Sequence, residues 1–225
     1  YSWDDGAERE DYAVTPDDSP GDVLTCTVTA VDSEEGVSVA TVSATVVNTV
    51  PWVSAVTIEP DSPHNDDILT CSASVFDVDG DATTMRYEWS EGTPGDTLVL
   101  AEIGASPGDT FECAAIATDA EGGEGSATAS VVVENRSPSI VVSVSPFAAY
   151  PGDRLTCSAS VNDPDGDDLR IDYLWSDGST DSTVVVDGDA SPGSAYTCMA
   201  TVTDPSGDAA TDSSSAMIYA DPDAD

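Results

Sequence analysis

The sequence predicts an all-β protein made of tandem antiparallel β-sandwiches, and three observations carry that expectation. First, one stretch recurs: Ile68-Leu-Thr-Cys71-Ser-Ala-Ser-Val75 leads through Asp77-Val-Asp79-Gly80-Asp81 to Tyr87-Glu-Trp89, and 86 residues later Leu155-Thr-Cys157-Ser-Ala-Ser-Val161 leads through Asp163-Pro-Asp165-Gly166-Asp167 to Tyr173-Leu-Trp175. Second, β-branched runs such as Val131-Val-Val133 and Ile140-Val-Val142 alternate with turn signals about every 8 to 12 residues, the rhythm of a sandwich. Third, no 3.6-residue apolar stripe is present, so no helix is expected.

Residues 1–47 read as the back half of a module. Tyr1-Ser-Trp3 matches Tyr87-Glu-Trp89, and Ser19-Pro-Gly-Asp22 with Leu24-Thr-Cys26 matches Ser106-Pro-Gly-Asp109 with Phe111-Glu-Cys113. A complete module follows at 48–134, with strands expected near Val53 to Ile58, Ile68 to Val75, Met85 to Ser90, Thr97 to Ala101, Thr110 to Thr118 and Ser126 to Val133. Turns fall at Glu59 to Asp67 and at Ser106 to Asp109, the latter of type II because Pro-Gly suits its two central positions. The third module repeats the plan over 135–220, and 221–225 form a polar tail. The joints, Asn48-Thr-Val-Pro51 and Asn135-Arg-Ser-Pro138, are short and end in proline, which reads as stiff. The chain opens in mid-pattern, as part of something longer would.

Composition bounds the partners. Against 44 acidic residues stand five arginines and no lysine, for a net charge of −39. Nucleic acid and anionic membrane surfaces are excluded as partners by that charge. Low hydropathy with high charge also suits disorder, but the regular β-branched alternation and repeated tryptophans argue for folded modules. An acidic surface of this kind fits a saline or calcium-rich exterior, where ions screen self-repulsion. No apolar run is long enough to span a membrane in this segment.

The cysteine spacing, 42 between Cys71 and Cys113 and 41 between Cys157 and Cys198, with a tryptophan 18 residues after the first of each pair, resembles the immunoglobulin-like sandwich. Asp-x-Asp-Gly-Asp followed by Tyr-x-Trp is similar to the bacterial Ig-like and PKD-like repeats of large secreted or surface proteins. The resemblance covers nearly the whole chain. It implies a strand B to strand F disulfide in each module, Cys71 with Cys113 and Cys157 with Cys198, and hence an oxidising compartment. Cys26 is then expected to pair with a residue outside this sequence. Tyr196, two residues before Cys198, resembles the tyrosine corner of the family; Phe111 and Leu24 hold that place in the other copies and lack the hydroxyl.

In such a sandwich the B–C loop shares a pole with the F–G loop. Asp77, Asp79 and Asp81 would then lie near Asp119, and Asp163, Asp165 and Asp167 near Asp204, with Asp32 the counterpart in the first part-module. Asn48 and Asn135, entering at the same pole, could add their carbonyls. These residues form a candidate calcium site at each joint, because hard oxygen ligands around a dication relieve carboxylate repulsion. The same loops also fit solvated acidic turns. The glycine falls at the fourth place and the twelfth place is Glu88 or Leu174, so the loop is not an EF-hand.

Catalytic signals are absent. His64 is the single histidine and lies in a polar turn, no Cys-x-x-Cys or glycine-rich phosphate loop occurs, and acidic pairs arise by chance in so acidic a chain. Asn135-Arg-Ser137 fits a glycosylation sequon weakened by Pro138. The expectation is therefore not an enzyme but a structural or adhesive repeat region: a stiff extracellular or cell-surface rod or fibre, disulfide-stapled and calcium-rigidified, whose partners are neighbouring modules and identical chains. The alternative is a spacer or carbohydrate-binding accessory region of a secreted hydrolase. That alternative calls for an exposed aromatic platform, and Trp52, at a joint, is the one tryptophan not explained as core.

Overall fold

The computed structural model describes residues 1–15 and 17–221 and is all-β apart from one helical turn. Of the predicted polar tail, all but Asp221 lies outside the described residues. In the first 47 residues, β1 (Ser2–Trp3), β2 (Val23–Val31) and β3 (Val37–Thr45) form one sheet in the order β1-β2-β3. Next come β4 (Trp52–Glu59), β5 (Ile68–Phe76), β6 (Thr84–Trp89), β7 (Thr97–Val99), β8 (Thr110–Thr118) and β9 (Glu124–Val132), arranged as β4-β5-β7 and β6-β8-β9. The last copy holds β10 (Ser139–Ser145), β11 (Ala148–Ala149), β12 (Arg154–Asn162), β13 (Arg170–Trp175), β14 (Thr183–Val185), β15 (Ala195–Thr203) and β16 (Ala209–Ile218), in sheets β10-β12-β14 and β11-β16-β15-β13. The six strands predicted over 48–134 are all present, with ends shifted by one or two residues.

One expectation needs correction. The strand beginning at Thr97 stops at Val99, and Leu100–Ile103 make a single helical turn, α1. Leu, Ala and Glu are good helix formers, but four residues are too few for an apolar stripe to show. The turn ends where Gly104 takes φ +68°, the left-handed conformation in which glycine closes helices.

By internal packing the chain divides into two units whose borders do not follow the repeats. The first comprises Tyr1–Asp61, Ile68–Val99 and Thr110–Val131, the second Ser62–Asp67, Leu100–Asp109 and Val132–Asp225. Within the first, Val53, Ala115 and Ala117 are buried against Val56, Ala73, Val75, Met85, Tyr87 and Ala127. These are the inward positions of strands whose alternate residues face solvent, as period-two patterning requires. The Cys71–Cys113 disulfide crosses from β5 to β8. Every residue of β3 is exposed, because no second sheet among the described residues covers β1-β2-β3.

Within the second unit, Trp175, Leu155, Tyr196, Val184, Ala200 and Ile218 pack around the Cys157–Cys198 disulfide. The Tyr196 hydroxyl accepts the Asp187 backbone N–H at 3.1 Å, so the tyrosine corner is formed. The pieces Ser62–Asp67, Leu100–Asp109 and Val132–Glu134 are stitched by backbone bonds: Leu100 N–H to the Asp67 carbonyl (3.0 Å), Gly108 to Val133 (2.9 Å) and Glu134 to Pro63 (2.7 Å). The Ser106 to Asp109 turn is closed by the Asp109 N–H on the Ser106 carbonyl at 3.1 Å, with Gly108 at φ +90°, as a type II turn requires.

Both predicted disulfides are present, and Cys26 is buried and free among the described residues. Closing a 42-residue loop in the unfolded chain is worth roughly 4 kcal/mol. Replacing Cys71 and Cys113 together by alanine is therefore expected to remove about that much from the unfolding free energy of the strands they join. Guanidinium unfolding followed by Trp89 fluorescence measures it, and a loss below about 1 kcal/mol would contradict the assignment.

Candidate metal centre

Strand β5 ends at Phe76 and β6 begins at Thr84, so the acidic run between them is free to curl. Gly80, at φ +80°, permits the reversal, and Gly166 does the same at φ +79°. The loop folds on itself through Asp77 Oδ1, which accepts the Asp79 N–H at 2.9 Å. One carboxylate oxygen each of Asp77, Asp79 and Asp81 thus lies within 4.8 Å of the others, and Asp163, Asp165 and Asp167 repeat the cluster. Two ligands on opposite sides of a calcium ion at about 2.4 Å would be separated by about this distance.

The neighbouring loop contributes differently from Asp77 and Asp81. Asp119 is buried at 7% exposure, and its Oδ1 accepts the N–H groups of Glu121 (3.0 Å) and Gly123 (2.6 Å). Its Oδ2 accepts Asn48 Nδ2 at 2.8 Å. Both Asp119 oxygens are engaged, and the residue acts as the clasp that orients the Asn48 amide. The Asn48 bond, joined by the backbone N–H groups, holds the Asp119 carboxyl below its ordinary pKa against the opposing effect of burial. Asp204 does the same with Asn135 (3.0 Å), and its carboxyl is likewise held low. Asp32 makes the same loop closure on Glu34 and Gly36.

With its nitrogen committed, Asn48 leaves Oδ1 buried without a hydrogen-bond partner, as are Asp77 Oδ2 and Asp81 Oδ2. At the other pole Asn135 Oδ1 and Asp163 Oδ2 are left the same way. Buried polar atoms are nearly always partnered. Here every orphan is an oxygen acceptor, and the set contains no nitrogen or sulfur, the donor chemistry that suits a hard dication. The residues present therefore fit calcium. Gly125 fixes the approach of the chain to this pole: a Cβ there would overlap the Pro51 carbonyl, and Pro51 is fully buried.

Several contributors escaped the sequence reading. Glu121 lies against Asp81, and burial, followed by its interaction with Asp81, raises its carboxyl above the ordinary value. Asp208 stands where the middle copy has Gly123 and accepts Asn135 Nδ2 at 2.9 Å. Arg136 binds Asp165 through its backbone N–H (2.6 Å to Oδ2) and Nε (2.8 Å to Oδ1). Its signal was available, since it is one of five cations in the chain and adjoins Asn135. His64 sits in its turn, with its N–H on Asp67 Oδ2 at 2.8 Å.

No protein-family model and no curated protein sequence matches the chain. Among solved structures it resembles the fibronectin(III)-like modules of Clostridium thermocellum CbhA at 16% identity and TM-score 0.31, covering 74% of this chain and 95% of that one. It also resembles the N-terminal eight Ig domains of Down Syndrome Cell Adhesion Molecule, at 17% identity and TM-score 0.46, covering 93% of this chain and 29% of that one. For the Hoc protein of bacteriophage RB49 the values are 16% identity, TM-score 0.31, 76% of this chain and 59% of that one. The chain thus spans less than two thirds of the last two. The fold is that of tandem Ig-like domains. Its B-to-F disulfides, sheet order and tyrosine corner carry that assignment.

The site's protonation has a definite sign. Burial, then Asp163, Asp165 and Asp204, raises Asp167, as Glu121 is raised. Between its ordinary and raised values each group binds more protons when folded, so acidification through that window adds stability. Asp119 and Asp204 act oppositely and lower down: their contribution is present above the ordinary aspartate value of 3.8 and is lost as pH falls through the depressed one. In chelator, Asp167 and Glu121 are expected to raise the melting temperature as pH falls through their raised values toward 4.5, the ordinary glutamate value, and Asp119 and Asp204 to lower it as pH falls below 3.8. Scanning calorimetry across that range checks it, and a fall throughout would contradict it.

Proposed function

We propose that the chain is a structural or adhesive repeat region of an extracellular protein, a stiff acidic rod or fibre whose joints are rigidified by calcium. The observation that carries this reading is the set of buried, unpartnered oxygens on Asn48, Asp77 and Asp81 at the first joint, matched by Asn135 and Asp163 at the second. In each, a joint asparagine faces an acidic loop of the module it enters. A dication bound there would hold the joint segment and the loop in one coordination sphere. Its other partners would be adjoining modules and identical chains, with cations screening the −39 charge during lateral association. The disulfides suit an oxidising exterior. The bacterial Ig-like and PKD-like character belongs to this proposal, as does the absence of a catalytic role.

Calcium titration of the whole chain tests the reading. Extracellular modules bind in the range of about 0.1–1 mM, and a tenfold excess over the dissociation constant stabilises by about 1.4 kcal/mol per site. The melting temperature is expected to rise with calcium, less with magnesium, and the rise to shrink in Asn48→Ala with Asp81→Asn. Identical melting with calcium and with chelator would refute it.

A specific observation also favours the accessory-region reading. Trp52 and Phe76 face each other across β4 and β5 and are 67% and 61% exposed. In the third module those positions are Ser139 and Asn162. An exposed aromatic pair suits stacking on a neutral sugar. If that pair binds glycans, the chain will be retained on insoluble polysaccharide and Trp52→Ala will abolish retention; equal retention of both proteins would remove this reading.

A further inference from the structure

The two joints carry the same asparagine, the same acidic loop and the same proline, but the residue after the asparagine differs: Thr49 at the first and Arg136 at the second. The Asp165 side chain is wholly buried, at 0% exposure. Such a carboxylate is costly unless it is paired and hydrogen-bonded. Arg136 satisfies both its oxygens, one through the backbone N–H and one through Nε. The guanidinium then extends away from that carboxylate. Nη2 donates to Asn65 Oδ1 at 3.0 Å and to the Pro164 carbonyl at 3.1 Å, and it lies 3.0 Å from Asp66 Oδ1. Asn65 closes the circuit by donating Nδ2 to the Asp165 carbonyl at 2.7 Å.

Three stretches distant in sequence therefore meet on one planar cation, all within the second unit: the Ser62–Asp67 turn, the segment 135–138 and the loop 163–167. A guanidinium suits this task because it is always charged and presents several donors in a rigid fork. At the first joint Asp79 Oδ2 accepts only the Thr49 backbone N–H, at 2.6 Å. Among the described residues no ion pair reaches Asp77, Asp79 or Asp81. Three oxygens are left without partners there, against two at the second joint.

We infer that the joints are held by different means. Arg136 is a built-in cation that keeps the second joint ordered even when its calcium is removed, whereas the first, with threonine in that place, needs a bound dication to be ordered. The part concerning the first joint rests on the calcium reading above. The clamp at the second does not.

Hydrogen exchange with mass spectrometry on the whole chain, in calcium and in chelator, reads both joints at once. In the wild type, chelation is expected to speed exchange about tenfold in peptides covering residues 48–52 and to leave residues 135–139 unchanged. In Arg136→Thr, exchange over residues 135–139 is expected to rise about tenfold in chelator. Arg136→Lys keeps a positive charge without the fork, and is expected to lose protection there with the core peptide over residues 155–161 intact, which separates loss of the clamp from loss of the fold. Equal sensitivity of the two wild-type joints to chelation would overturn the inference while leaving the calcium reading in place. If calcium alters neither joint, the calcium reading fails. The clamp then stands if the two variants still deprotect residues 135–139, and falls if they do not.

Discussion

Carboxylates gathered at one pole of each module are the constraint on which the other features of the joints depend. Three aspartates of one short loop lie within 4.8 Å of each other, and a fourth, Asp119 or Asp204, is buried beside them. Like charges at such distances repel, more strongly as water is excluded. The loop tolerates this because each aspartate has a distinct part. Asp119 closes its own loop and orients Asn48, Asp79 receives the Thr49 N–H, and Asp77 turns the loop through the Asp79 N–H while directing its second oxygen inward. Positive charge is what this arrangement lacks, and Arg136 supplies some of it at the second joint.

The modest cores explain the reliance on disulfides. The middle copy buries Leu69, Trp89, Leu98 and Phe111 together with Val53 and two alanines of β8, and the third buries Leu155, Trp175 and Ile218 around its cysteines. Modules of about 86 residues bury too little apolar surface for a wide stability margin. The B-to-F bridge compensates by restricting the unfolded chain, and a buried tryptophan, Trp89 or Trp175, pairs beside it with Cys113 or Cys198. In the first part-module no sheet among the described residues faces β3, so its Val37, Val39 and Val42 stay exposed although the strand pattern is intact.

Much of this was legible in the sequence. The strands announce themselves through period-two alternation, the turns through Ser-Pro-Gly, and the disulfides through spacing that recurs with the modules. Recurrence also exposed the acidic loops and Asn48 with Asn135. What could not be read lies where the copies differ. Leu100–Ile103 form a helical turn that the third module lacks; Glu121, Arg136 and Asp208 each replace a residue of another type in the matching copy. A repeat-based reading gives weight to what is shared, so residues peculiar to one joint carry no signal in it. Nor can spacing tell whether a carboxylate will point its oxygens at backbone donors or leave one free. Asp119 and Asp77 look alike in sequence, and only the fold separates the clasp from the open ligand.

The central claim is that a dication belongs among the oxygens of Asn48, Asp77 and Asp81. High-resolution crystallography of the chain grown with calcium tests it most directly. The account predicts a density peak with anomalous signal at about 2.3–2.6 Å from Asn48 Oδ1, Asp77 Oδ2 and Asp81 Oδ2. Water molecules bridging those oxygens at hydrogen-bond distances, with calcium present in the crystal, would contradict it.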